Sequence, residues 1–155
     1  MLLAAAIAWA QSRKAGLWEI TSNMTWQQSP MPGGGAPPGG AFGGGPKTSQ
    51  VCVTQAMIDK FGSPMAQTRA GCQVTNVEKT DHSMSAVMTC SGRMTGSGKI
   101  EASWTDSDHA QSKVHFKGSI QAGPNPRPIE WTIDSTSVFK SADCGSVKPI
   151  EPDTK

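Results

Sequence analysis

Tyrosine is absent from this 155-residue chain, charged residues make up only 17% of it, and the formal net charge at neutral pH is +2. So neutral a chain carries no electrostatic footprint for a phosphate backbone, which excludes a nucleic-acid partner. Beyond residue 10 no apolar run is long enough to cross a bilayer as a helix, so no transmembrane segment is expected. Serine is abundant, yet no Gly-x-Ser-x-Gly elbow exists. His82, His109 and His115 have no serine, cysteine or carboxylate at a motif spacing. Four cysteines occur without a Cys-x-x-Cys knuckle, which argues against structural zinc. The composition therefore predicts no catalytic residue, no metal and no cofactor, and so not an enzyme.

What is present centres on Cys72 and Cys90, which stand symmetrically about Asp81. Cys72-Gln73-Val74-Thr75 runs towards a turn at Thr80-Asp81-His82, and Val87-Met88-Thr89-Cys90 runs back. Pairing about Asp81 sets Cys72 opposite Cys90, Val74 opposite Met88 and Thr75 opposite Val87. Directly opposed residues of antiparallel strands lie within disulfide reach. Four cysteines allow three connectivities. The hairpin symmetry selects Cys72–Cys90, and elimination leaves Cys52–Cys144. Two disulfides imply an oxidising compartment.

The amino terminus agrees with that address. Residues 2–10 are apolar, and Ala8-Trp9-Ala10 has the small-x-small form of a signal-peptidase site. No Lys or Arg precedes the run. The expectation is a signal peptide over 1–10 with a truncated n-region, a start codon assigned too far downstream, and export to the periplasm or beyond. A single β domain over 11–148 and a disordered tail over 149–155 would follow.

Within that domain, strands announce themselves by period-2 alternation. Trp18, Ile20, Met24 and Trp26 share one face of a strand over 17–26. Residues 30–46 hold eight Gly and five Pro among 17, and read as a flexible loop. Deleting 33–45 is expected to leave the melting temperature nearly unchanged, because closure entropy grows only slowly with loop length. A second strand over 49–53 leads to Thr54, which can cap a short helix over 55–61 that Gly62 and Pro64 close. After the disulfide hairpin, Gly92, Gly96 and Gly98 should bend or bulge the path. Ile100, Ala102 and Trp104 form the next inward set, followed by Val114, Phe116 and Ile120, then Ile129, Trp131, Ile133 and Phe139. Their opposite faces carry Lys, Glu, Ser, Thr and Asp. The fold class is all-β: a curled antiparallel meander of about seven strands, barrel or half-barrel like, with one short helix and two disulfides.

Two groups of side chains could carry a function. His82, Met84, Met88 and Met94 are close in sequence and chemically suit copper(I). Met84 and Met88, however, share the inward face with Val74, where methionine commonly fills core gaps. Asp106 and Asp108 flank a turn and read as turn chemistry, while Lys113, His115 and Lys117 form a solvated strand face. Trp18, Trp104, Phe116 and Trp131 all point inward, and could either fill a curled sheet or line a pocket for an apolar small molecule. The leading expectation is an exported, non-enzymatic β domain binding an apolar small molecule or a partner. The alternative is an envelope structural or interaction protein with a solid core, whose partner would be another envelope protein.

Several short segments also resemble a known family. Lys14-Ala15-Gly16-Leu17-Trp18-Glu19-Ile20-Thr21, Cys52-Val53-Thr54 before a short helix, and Gly71-Cys72 are among them. So are the set Cys90/Gly92/Met94/Gly96/Gly98 and the closing Asp143-Cys144. Together, in order and spacing, they are similar to bacterial domain-of-unknown-function family 3617. The long Gly/Pro loop and the tail beyond Cys144 depart from the pattern. The resemblance implies secretion across the inner membrane of Gram-negative bacteria and a compact β domain with two disulfides. It transfers no catalytic residue.

Overall fold

The computed structural model describes residues 13–35, 45–64 and 71–150. The leader over 1–10, most of the Gly/Pro loop and the end of the tail lie outside them. The alternating runs form β1 (Gly16–Gln28), β2 (Lys47–Val53), β3 (Cys72–Lys79), β4 (Ser83–Ser91), β5 (Met94–Ser103), β6 (His109–Gln121), β7 (Pro126–Ser141) and the two-residue β8 (Pro149–Ile150). They build one curled eight-stranded half-barrel sheet in the order β3-β4-β5-β6-β7-β1-β2-β8. Five strands form a sequential meander, and β1 then docks on the far side of β7. β8 runs parallel to β2 through Cys52↔Pro149 and Val53↔Ile150, so the chain enters the sheet where a tail was expected.

This order sets β2 and β3 in opposite regions of the sheet. α1 (Gln55–Phe61) follows β2 and buries Met57, Ile58 and Phe61 in the apolar core. Thr54 is its N-cap and accepts from the Met57 N–H, while Gly62, at φ 69°, donates to Ile58 O. Both ends thus satisfy groups that a helix leaves unpaired.

Register explains which residues reach the core, because directly paired residues share a face. One row crosses the sheet as Val74, Met88, Gly98, Phe116, Trp131 and Trp26, and the next as Ala86, Ile100, Val114, Ile133 and Met24. The Cys72↔Cys90, Val74↔Met88 and Thr75↔Val87 pairs hold as read from the sequence. Beyond them the register shifts by one, to Glu78↔Ser85, with Asn76 in the left-handed region at φ 52°. Both disulfides have the connectivity inferred from the hairpin.

The glycines do not interrupt β5, which pairs with β4 and β6 in unbroken register through Gly96 and Gly98. They mark instead a close approach of backbones. A Cβ on Gly96 would overlap the carbonyl oxygen of Lys117, and one on the facing Gly118 that of Thr95. Gly96 also holds φ 147°, which L side chains rarely adopt. Gly96→Ala should therefore lower stability by more than about 1 kcal/mol. A thermal melt should show a fall of at least about 3 °C in Tm.

Candidate functional site

The four aromatic residues singled out from the sequence stand in the core. Trp18, Trp104, Phe116 and Trp131 are 0, 7, 0 and 4% exposed. Phe116 and Trp131 stack with ring centroids 5.2 Å apart. Trp18 meets Phe139 edge-on at 5.5 Å, and its Nε1 donates to Lys14 O at 2.9 Å. Trp104 packs against Gly62, where a Cβ would come within 2.9 Å of its ring, and its Nε1 donates to Asp81 O. Buried indole N–H groups normally find such acceptors. The exception is Trp131, whose buried Nε1 has no hydrogen-bond partner among the described residues. Met84 and Met88 are buried in the same cluster, whereas His82 is exposed.

Arg13, which no pattern in the sequence distinguishes from a polar lead-in, is buried. Its guanidinium lies 4.9 Å over the Trp104 ring, and Nη1 donates to His109 O. Burial pulls its pKa below the usual arginine range, against the opposing charges of Asp106 and Asp108. Beside it the β5–β6 turn is organised by Asp106, whose Oδ1 accepts from the N–H groups of Asp108 and His109 at 2.7 and 2.8 Å. Lys14 pairs with Asp108 at 2.7 Å. The Asp108 N–H holds the Asp106 carboxyl below its ordinary range, helped by the His109 ring. Lys14 does the same for Asp108, helped by Ser107. A carboxylate with a depressed folded pKa stabilises above its unfolded pKa and loses that stabilisation as the pH falls through the folded value. Asp106→Asn keeps an acceptor oxygen but cannot ionise. Its stability deficit against wild type should shrink as thermal melts are moved from neutral pH below the ordinary aspartate range.

The other face of the sheet is polar, and its rows follow from the same register. Glu78, Ser85, Glu101, Lys113, Asp134 and Asn23 form one row, and Ser83, Ser103, Gln111, Thr136, Thr21 and Thr48 the next. A groove of about 770 Å³ runs across this face, lined from six strands by residues including Asn23, Glu101, Gln111, Lys113 and Asp134. A second, of about 510 Å³, shares Glu78 and Ser85 with it and adds Lys99, His115 and Lys117. Within the face Lys99 pairs with Glu101 at 2.7 Å and Lys113 with Asp134 at 3.5 Å, and the His115 ring lies in hydrogen-bond contact with Glu130 at 2.8 Å. Alternation shows which residues share this face. Its concavity depends on the coiling of long strands, which alternation does not encode.

A family model described as "Protein of unknown function (DUF3617)" matches residues 13–144, which spans nearly all of the sheet and both disulfides. The chain belongs to this family. No curated protein and no solved structure matches it. The segments that resemble DUF3617 occupy positions that hold this fold together. Gly16, at φ 139°, would place a Cβ against the Ser141 carbonyl, and Trp18 is fully buried. Thr54 caps α1, Gly96 meets β6, and Cys52, Cys72, Cys90 and Cys144 form the two crosslinks.

Proposed function

We propose that the chain is an exported, non-enzymatic interaction domain, with a solid aromatic core and a polar sheet face that meets its partner. The observation carrying this reading is the division between the two faces. The aromatic side chains are buried beside α1 and against one another, while the two described grooves lie among hydroxyl, amide and charged side chains on the other face. Oxidised cysteines support export, since disulfides persist in oxidising compartments. Intact mass of protein from its native host should begin at Gln11 if the leader is removed after Ala10. A cytoplasmic protein that retains Met1 contradicts the export half of the proposal.

A second reading draws on the unpartnered Nε1 of Trp131. A buried donor without an acceptor is costly. An apolar molecule carrying one acceptor oxygen would relieve it, which keeps the small-molecule expectation open to test. Titration of the wild type with a carboxyl-bearing apolar fluorescent probe separates the two. The solid-core reading expects no saturable binding. Saturable binding that weakens in Trp131→Phe, which retains a ring but lacks the donor, would favour the second.

A further inference from the structure

The sheet is open, so it has two edges, and they differ. On β3 the register shift and the left-handed Asn76 interrupt the ladder, and the strand ends in Glu78 and Lys79. Such bulges and charges are how proteins blunt an edge against pairing. On the β2 edge the only charge is Lys47, at its very start, and no register shift interrupts the strand. β2 pairs with β1 over seven residues in unbroken register, from Gly16↔Val53 to Ser22↔Lys47. Its outer side accepts a strand already, but only at Cys52 and Val53, where β8 adds to it. Among the described residues no strand lies against residues 47–51, and Lys47, Thr48, Ser49 and Gln50 are exposed.

We propose that residues 47–51 of β2 pair with the same stretch of a second copy of this chain, antiparallel about a two-fold axis at Ser49. The sequence Lys47-Thr48-Ser49-Gln50-Val51 is complementary to itself in that register. Lys47 falls opposite the partner's Val51, where its aliphatic stem covers an apolar side chain. Thr48 meets the partner's Gln50, two hydrogen-bonding side chains on the polar face. Ser49 meets the partner's Ser49 on the axis, a pair small enough for close approach. No like charges are opposed, which would destabilise a cross-strand pair. A two-fold contact needs the same patch on both copies, and this stretch supplies one. β8 ends the pairing at Cys52 and limits it to five residues. So short an edge contact buries less than the roughly 1,200 Å² of stable complexes, so the dimer is weak and its formation follows chain concentration. The contact would continue the half-barrel into a second one, and it uses a strand edge, where the proposed function uses a sheet face.

Sedimentation equilibrium of the full, disulfide-bonded chain from micromolar to millimolar concentration tests this. The expected result is a reversible monomer–dimer equilibrium. Ser49→Lys puts two ammonium groups on the axis and should weaken dimerisation at least about ten-fold, the effect of roughly 1.4 kcal/mol. Thermal melts check that the exposed substitution leaves the fold intact. Ser49→Cys should give an interchain disulfide between the paired positions on mild oxidation. Glu78→Lys, on the opposite edge, should dimerise like wild type. A chain that stays monomeric at millimolar concentration overturns the proposal. So does a dimer indifferent to Ser49→Lys, one weakened by Glu78→Lys, or a Ser49→Cys variant that forms no interchain crosslink.

Discussion

Trp131→Ala should destabilise the fold by about 3–5 kcal/mol, from lost burial and from the cavity left beneath Phe116. The residue sits mid-row between Trp26 and Phe116, is 4% exposed, and stacks on Phe116 at an interplanar angle of 18°. A bulky ring so enclosed cannot be replaced by neighbours already fixed in the sheet. For a domain of this size the loss corresponds to a fall of about 10 °C or more in Tm. Chemical denaturation should show a lower midpoint with an unchanged slope. A loss below about 1 kcal/mol would mean that the position lines open space, and the solid-core reading would fail.

Breaking Cys52–Cys144 should have an effect of similar size. The crosslink spans 92 residues, and the chain-entropy model gives about 4–5 kcal/mol for a loop of that length. The Cys72–Cys90 loop spans 18, which gives about 3 kcal/mol in the same model. The double variant Cys52→Ala/Cys144→Ala should therefore melt below Cys72→Ala/Cys90→Ala. The longer bridge also ties the end of β7 to β2 beside β8, so its loss should free the C-terminal pairing. Amide hydrogen exchange at Ile150 reads that directly. If the two double variants melted alike, loop closure would not be what the bridges contribute.

The sheet was legible in the sequence because one face is apolar and the other polar. Alternation through Ile100, Ala102 and Trp104, or Ile129, Trp131 and Ile133, can be read only one way. The hairpin was legible because two cysteines fixed its register. The one-residue shift at Asn76 was not, since nothing in Asn76-Val77-Glu78 marks which residue leaves the ladder. Gly96 and Gly98 suggested a break and proved to be a close approach, because a glycine reports missing bulk without saying what occupies the space. β8 escaped notice at two residues, too short for any period. Arg13 escaped because a buried arginine over Trp104 requires contact across the fold. The candidate aromatic residues were correctly placed on the inner face, but whether an inner face is filled or hollow depends on packing. The polar grooves were hidden for the same reason, as curvature arises from strand coiling and leaves no local signal.

The central claim is that this interior is filled by its own side chains. Mass spectrometry of protein purified without denaturation from its native host, with its organic extract analysed in parallel, tests that most directly. The account predicts the mass of the chain with two disulfides, and an extract holding no apolar molecule in stoichiometric amount. A stoichiometric acyl or other apolar compound in the extract would contradict it.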